Sequence, residues 1–168
     1  MSRFTPIKWD KIPSELQNLD QWVLWCWGSD PEKTKPTKVP KFWGEHGLAF
    51  AKSNDPGTWS SFEDTTAQYL TNPEAFGGIM LALTSQDPFI FVDLDNAVDD
   101  QGQVKSWAKE IVDQFQSYTE FSVSGSGLHI IGRGKKDDKW LKSSSSKSKV
   151  CRTTYEDGDV EVYEHSRF

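Results

Sequence analysis

Phe89-Ile90-Phe91-Val92-Asp93-Leu94-Asp95 carries four apolar residues straight into two aspartates spaced two apart. Its β-branched and aromatic content, after the turn residues Gln86-Asp87-Pro88, reads as a strand. Side chains alternate along a strand, so Asp93 and Asp95 share one face. The strand leaves an apolar core and delivers its acids at its end. Two carboxylates that close repel one another, and a divalent cation offsets that cost well. A solvated strand end leading into Asn96-Ala97-Val98-Asp99-Asp100 would carry the same residues.

The neighbouring segments extend the pattern in both directions. Upstream, Gly77-Gly78 precedes a strand expected over Ile79–Leu83. Downstream, Val104, Trp107, Ala108, Ile111, Val112 and Phe115 form an apolar stripe at helical spacing, which predicts a helix over roughly 104–116. Strands are expected at Tyr118–Val123 and Leu128–Arg133, around the turn Ser124-Gly125-Ser126-Gly127, and again at Val160–Tyr163. The serine-rich stretch 135–149 reads as a loop. Nearer the N-terminus, Ile12–Leu16 suggests a short helical turn and Gln21–Trp27 a buried strand. Gly28–Phe42, with Pro31, Pro36 and Pro40, suggests extended or looped chain. Asp55-Pro56 opens a helix expected to run to about Leu70. The order of elements predicts an α+β fold, a two-layer sheet with helices on one face.

Bulk composition sets few limits. At 168 residues, 36% hydrophobic and with eight tryptophans, the chain has material for a packed core. No apolar run has the length of a membrane span, and Met1–Pro6 lacks the apolar stretch of a signal peptide. Cys26 and Cys151 have no neighbours at metal-ligand spacing, so a cytoplasmic setting is the expectation. The net charge of −6 does not itself suggest a nucleic-acid partner, yet lysines crowd two segments, 33–41 and 133–149.

Two further features bear on chemistry. His129 follows the Ser-Gly-Ser-Gly turn on a strand where His129, Ile131 and Arg133 share a face. Glycines permit turns that leave backbone N–H groups for phosphate oxygens, and imidazole and guanidinium add donors. A plain hairpin turn would look alike. Glu161 faces opposite to Val160 and Val162, together with Asp159 and Tyr163. It either completes a carboxylate trio with Asp93 and Asp95 or belongs to a solvated acidic tail.

In combination these residues resemble the archaeo-eukaryotic primase superfamily, in particular primase–polymerase domains of phages, plasmids and other mobile replicons. The resemblance is carried by Asp93-Leu94-Asp95, by Ser124 to His129 and by Val160-Glu161-Val162-Tyr163. It also takes in Gln21-Trp22-Val23, Lys35 to Pro40, Asp55 to Trp59, Tyr118-Thr119-Glu120 and Arg167-Phe168. It implies a template-dependent nucleotidyltransferase that adds nucleotides to a 3′ hydroxyl on single-stranded DNA. Two Mg²⁺ or Mn²⁺ ions would be held by Asp93, Asp95 and Glu161. His129, with Ser124, Gly125 and Gly127 beside it, would contact nucleoside triphosphate; Arg133, Arg167 and Lys38 are further candidates for phosphate or template. The implied fold is a catalytic unit like an RNA-recognition module over 76–168, preceded by a smaller α/β unit over 1–75. The chain reads as cut short at its C-terminus, with priming-helix and helicase domains expected in a parent protein. Two other classes stay open: an Asp-x-Asp glycosyltransferase, and a non-catalytic nucleic-acid-binding module of replication or defence.

Overall fold

The computed structural model describes residues 7–28, 36–135, 151–155, 157–165 and 167–168. The fold is mixed α+β, and the chain divides into two compact units, 1–84 with 166–168, and 85–165. The division falls between Thr84 and Ser85 rather than at residue 75. The strand that follows residue 75 is recruited by the first sheet, where Trp22 to Trp25 supply its partner edge.

The first unit holds a four-stranded antiparallel sheet of order β3-β2-β1-β4, from Gly47–Phe50, Thr37–Gly44, Trp22–Gly28 and Gly78–Leu81. Trp22, Val23, Leu24 and Trp25 are all buried, as the apolar run of β1 requires of a central strand. The short helix α1 (Ser14–Gln17) buries Leu16, whose carbonyl accepts from Trp22 Nε1 at 3.0 Å. Helix α2 (Phe62–Thr71) lies against β1 and β4, with Phe62 edge-on to Trp22 at 5.1 Å.

One expectation is narrowed here and one changes. The proline-bearing segment 28–42, expected to be extended or looped, contains most of a strand, β2. Pro40 is tolerated because the β2–β3 ladder ends beside it, and only its carbonyl is used there, accepting from Ala51 N at 3.0 Å. The helix expected from Asp55 to Leu70 is broken in two. Asp55 caps a 3₁₀ turn at Pro56–Thr58, Ser60 then pairs with Trp22, and Ser61 caps a fresh start by accepting from Asp64 N at 3.0 Å.

The second unit holds a five-stranded sheet of order β6-β7-β5-β9-β8, every neighbouring pair antiparallel. Its strands are β5 (Phe89–Asp95), β6 (Tyr118–Phe121), β7 (Leu128–Arg133), β8 (Cys151–Tyr155) and β9 (Gly158–Tyr163). Strand β8 was not foreseen. The stretch read as a loop, 135–149, lies almost wholly outside the described residues. One face carries Val92, Leu94, Leu128, Ile130 and Val162, packed with Ala97, Val98, Trp107 and Ala108. Helix α3 (Ser106–Phe115) covers this face through its apolar stripe, with Trp107 2% exposed. Phe89, Phe91, Asp93 and Asp95 therefore point to the opposite face, which passes from buried Phe89 to exposed Asp95.

An acidic face on the second sheet

Register decides what the open end of that face presents. Asp93 on the central strand β5 lies directly opposite His129 on β7 and directly opposite Glu161 on β9. Directly opposed residues of antiparallel strands put their side chains on the same side, with Cβ atoms about 4.5–5.5 Å apart. One step toward the strand end, Asp95 opposes Asp159. One strand outward, Glu120 on β6 opposes His129. A single row thus runs Glu120, His129, Asp93, Glu161 across four strands, with Asp95 and Asp159 beside it.

Hydrogen bonds organise the row. His129 Nδ1 is 3.2 Å from Glu120 Oε1, and its Nε2 is 3.8 Å from Asp93 Oδ1. The ring is 5.0 Å from Phe91, so it is hydrogen-bonded at Nδ1, faces Asp93 with Nε2 and is packed on one side. Tyr118 donates to Glu120 Oε2 at 2.8 Å. Burial first, then the charge and hydrogen bond of Glu120, push the Tyr118 hydroxyl well above its ordinary range, so it stays a donor. Tyr163, packed 6.1 Å from Phe91, donates to Glu161 Oε2. Thr154 donates to Asp159 Oδ1 at 2.9 Å.

The face is half-buried where the chemistry converges: the side chains of Asp93 and His129 are 16% and 14% exposed. Charges there are screened less than on an open surface. The donor set is oxygen-rich and hard, which suits Mg²⁺ or Mn²⁺ better than softer metals. Among the described residues, no three His, Cys, Asp or Glu side chains converge on one point as placed. Glu161 accounts for part of that, since its carboxylate is engaged by Tyr163.

The turn after β6 sits at the same end of the sheet. Gly125 has φ +77, which the turn needs and a glycine supplies. A Cβ on Gly127 would lie 2.8 Å from the Leu94 carbonyl oxygen, so the turn lies flush against β5 between its two acids. The expectation of N–H groups left for phosphate changes here. Gly125 N donates to Ser122 O at 2.9 Å, and Gly127 N donates to Ser122 Oγ at 3.0 Å. Closing so tight a turn consumes those donors. What it presents is a hydroxyl chain, Ser122 to Ser124 at 3.0 Å and Ser124 to Ser126 at 2.9 Å.

Arg133, on the same sheet, is not part of this cluster. It opposes Phe89, its guanidinium 5.3 Å from that ring. It stands four residues along β7 from His129, roughly 13 Å at the strand rise. Lys38 and Arg167 belong to the other unit: Lys38 Nζ is 5.7 Å from the Trp25 ring, and Arg167 bridges Leu83. Sequence reasoning did not assign roles to Glu120, Tyr118 and Tyr163. Alternation alone puts Tyr118 with Glu120, and Tyr163 with Glu161, but only register brings these pairs to His129 and Asp93.

The fold and this face define a class: a mixed α+β fold whose second sheet presents carboxylates and a histidine in one row across neighbouring strands. No family model matches the chain. Over 158 residues, 91% of its length, it is 34% identical to a curated DNA primase-polymerase of Nitratiruptor phage NrS-1. The chain is thus similar to one part of a primase–polymerase, and it spans 19% of the length of that relative.

Proposed function

We propose that this chain is a nucleotidyltransferase module that extends a 3′ hydroxyl on a single-stranded DNA template. The observation that carries the reading is the placement of Asp93 directly between Glu161 and His129 on one sheet face. Asp93, Asp95 and Glu161 would hold two Mg²⁺ or Mn²⁺ ions, with Asp159 close by as a further oxygen donor. When bound, such ions supply charge neutralisation at the phosphates and a lowered pKa for the attacking hydroxyl.

The chain's own groups do the positioning. His129, fixed by Glu120 and Phe91, donates toward the triphosphate, and the serine hydroxyls of the 122–127 turn offer further hydrogen bonds. To hold a metal, Glu161 would have to leave Tyr163 by side-chain rotation, while Tyr163 would keep its apolar contact with Phe91. Most of the rate gain in such a site comes from alignment and from charge stabilisation in a half-buried setting. The strand order β6-β7-β5-β9, with α3 crossing between β5 and β6, supports a catalytic unit of RNA-recognition-module type. The relative's name, DNA primase-polymerase, supports nucleotides and DNA as the partners.

The test is labelled-nucleotide incorporation on a single-stranded template, with and without primer, in Mg²⁺ or Mn²⁺. Wild type is expected to incorporate, and Asp93→Ala to lose incorporation while keeping its circular dichroism and its melting transition. An Asp93→Ala protein that incorporates normally with unchanged metal dependence refutes the reading. Metal-independent binding of DNA without any incorporation would favour a non-catalytic binding module instead.

A further inference from the structure

In the first unit, one face of the sheet is only partly covered. Trp22 and Leu24 share this face, and α2 covers it over β1 and β4 through the Phe62–Trp22 contact. Leu24 opposes Lys41, Lys41 opposes Phe50, and Trp43 opposes Leu48. All four outer side chains therefore lie on the same side, beyond the helix. Trp43 is 56% exposed, Leu48 42% and Phe50 67%. These are three of the six large hydrophobic side chains that stand exposed among the described residues. Scattered exposed apolar groups are ordinary, but a contiguous patch on a folded sheet calls for an occupant.

Chemistry narrows the occupant. Trp43 and Phe50 occupy diagonal positions on adjacent strands, about 7–8 Å apart. Flat rings spaced along an antiparallel sheet are the means by which sheet-based binders stack successive bases. Lys41 places its ammonium over one face of the Phe50 ring, 3.6 Å from its centroid, so a cation stands within the patch and the Trp43 ring lies beyond it. No acidic residue stands among the four; Glu45 and His46 lie at the hairpin turn. An apolar protein partner would leave Lys41 without a complement at the centre of the patch, whereas a phosphodiester chain complements it.

We infer that the β2–β3 face is a single-stranded nucleic-acid stacking platform, in which Trp43 and Phe50 stack on bases and Lys41 meets the backbone phosphate. The choice of single-stranded DNA as occupant rests on the proposed function; the platform itself is independent of the acidic face. Binding of fluorescein-labelled oligo(dT) by the whole chain, read as anisotropy, tests it. Trp43→Ala and Phe50→Ala are each expected to weaken binding by about tenfold or more, from the usual worth of one stacked base. Trp43→Phe should retain most of the affinity, and Trp43→Leu, which keeps apolar area without a ring, should not. Leu70→Ala, exposed on α2, should bind as wild type does. Lys41→Ala should flatten the salt dependence by about one phosphate contact.

Trp43, Phe50 and Leu70 are exposed, so melting curves of these variants are expected to stay unchanged and loss of fold is directly excluded. A Trp43→Ala/Phe50→Ala protein that melts normally and binds oligo(dT) within twofold of wild type overturns the inference. So does a wild-type dimer in sedimentation that this double variant converts to monomers without change in DNA affinity, because the occupant is then a second copy. The two proposals fail separately. Normal incorporation with normal DNA binding in the double variant removes the platform and leaves the nucleotidyltransfer reading intact. Ring-dependent DNA binding without incorporation does the reverse.

Discussion

The row of acids should cost the folded protein stability, and Asp95→Asn measures that cost. Asp95 directly opposes Asp159, both on the face away from the core. Taking about 5.5 Å between the charges and the dielectric of water, because Asp95 is exposed, the repulsion is about 0.75 kcal/mol. Screening over a Debye length of about 8 Å reduces it to roughly 0.4 kcal/mol at physiological salt. Replacing Asp95 by the isosteric Asn removes this term and little else. The variant should therefore melt about 1–3 °C above wild type, a shift set by the size of the folded unit. In 1 M salt the difference should vanish. Divalent cations that bind the native face stabilise it by mass action. Mn²⁺ should thus raise the melting temperature of wild type by more than that of Asp95→Asn, which has lost a proposed ligand. The assay is differential scanning fluorimetry with a Mn²⁺ titration, beside nucleotide incorporation, expected to fall at least 100-fold. A variant less stable than wild type, with an undiminished response to Mn²⁺, refutes the reasoning that these acids form one site.

Glu120→Ala frees His129 Nδ1 and should raise KM for nucleotide by roughly tenfold, the worth of a charge-assisted hydrogen bond. Single-strand DNA affinity should be untouched, and Glu120→Gln should restore most of the KM. Lys105 donates to Asp157 at 2.6 Å, and this holds the Asp157 carboxyl below its usual range. A lowered native value contributes stability above the unfolded carboxyl range, near pH 4, and loses it as pH falls through the native value. Acid titration of unfolding should therefore show a loss in wild type that is absent in Lys105→Met.

The elements that carry the site were legible because their signals are local. The bounds of β5 and β7 match the alternation of FIFVDLD and LHIIGR, and α3 lies within its apolar stripe. The hairpin β2–β3 was hidden because its lysines and Pro40 argue for loop, and only the ladder end beside Pro40 makes a strand tolerable there. Strand β8, CRTTY, has a pattern too short and polar to stand out. For the site, sequence pattern could put Asp93 with Asp95 on one face, and Glu161 opposite to its flanking valines. It could not put Glu161 opposite Asp93, because that depends on register between strands far apart in the chain. Glu120 was missed for the same reason: its role exists only through His129 on the neighbouring strand.

Register therefore needs a physical anchor, and Gly158 supplies one. A Cβ at this position would lie 2.5 Å from the Asp95 carbonyl oxygen and 2.5 Å from Trp107 Cζ2. Neither neighbour can give way cheaply, since one is backbone of the central strand and the other is a buried core ring. Asn96 Nδ2 donates to Asp157 O at 2.6 Å, and Lys105 reaches the Asp157 carboxylate, so the start of β9 is pinned beside the end of β5. A one-residue slip of β9 would turn Glu161 into the core and both Val160 and Val162 outward. Gly158→Ala should accordingly destabilise by about 1–3 kcal/mol, as overpacking does. It should also depress nucleotide incorporation although no acid is changed. Urea unfolding gives the first quantity, and incorporation under conditions where the variant is fully folded gives the second. Unchanged stability in Gly158→Ala would mean that the glycine does not hold the two strands in register. The alignment of Asp93 with Glu161 would then have to come from the β-ladder and Val162 alone.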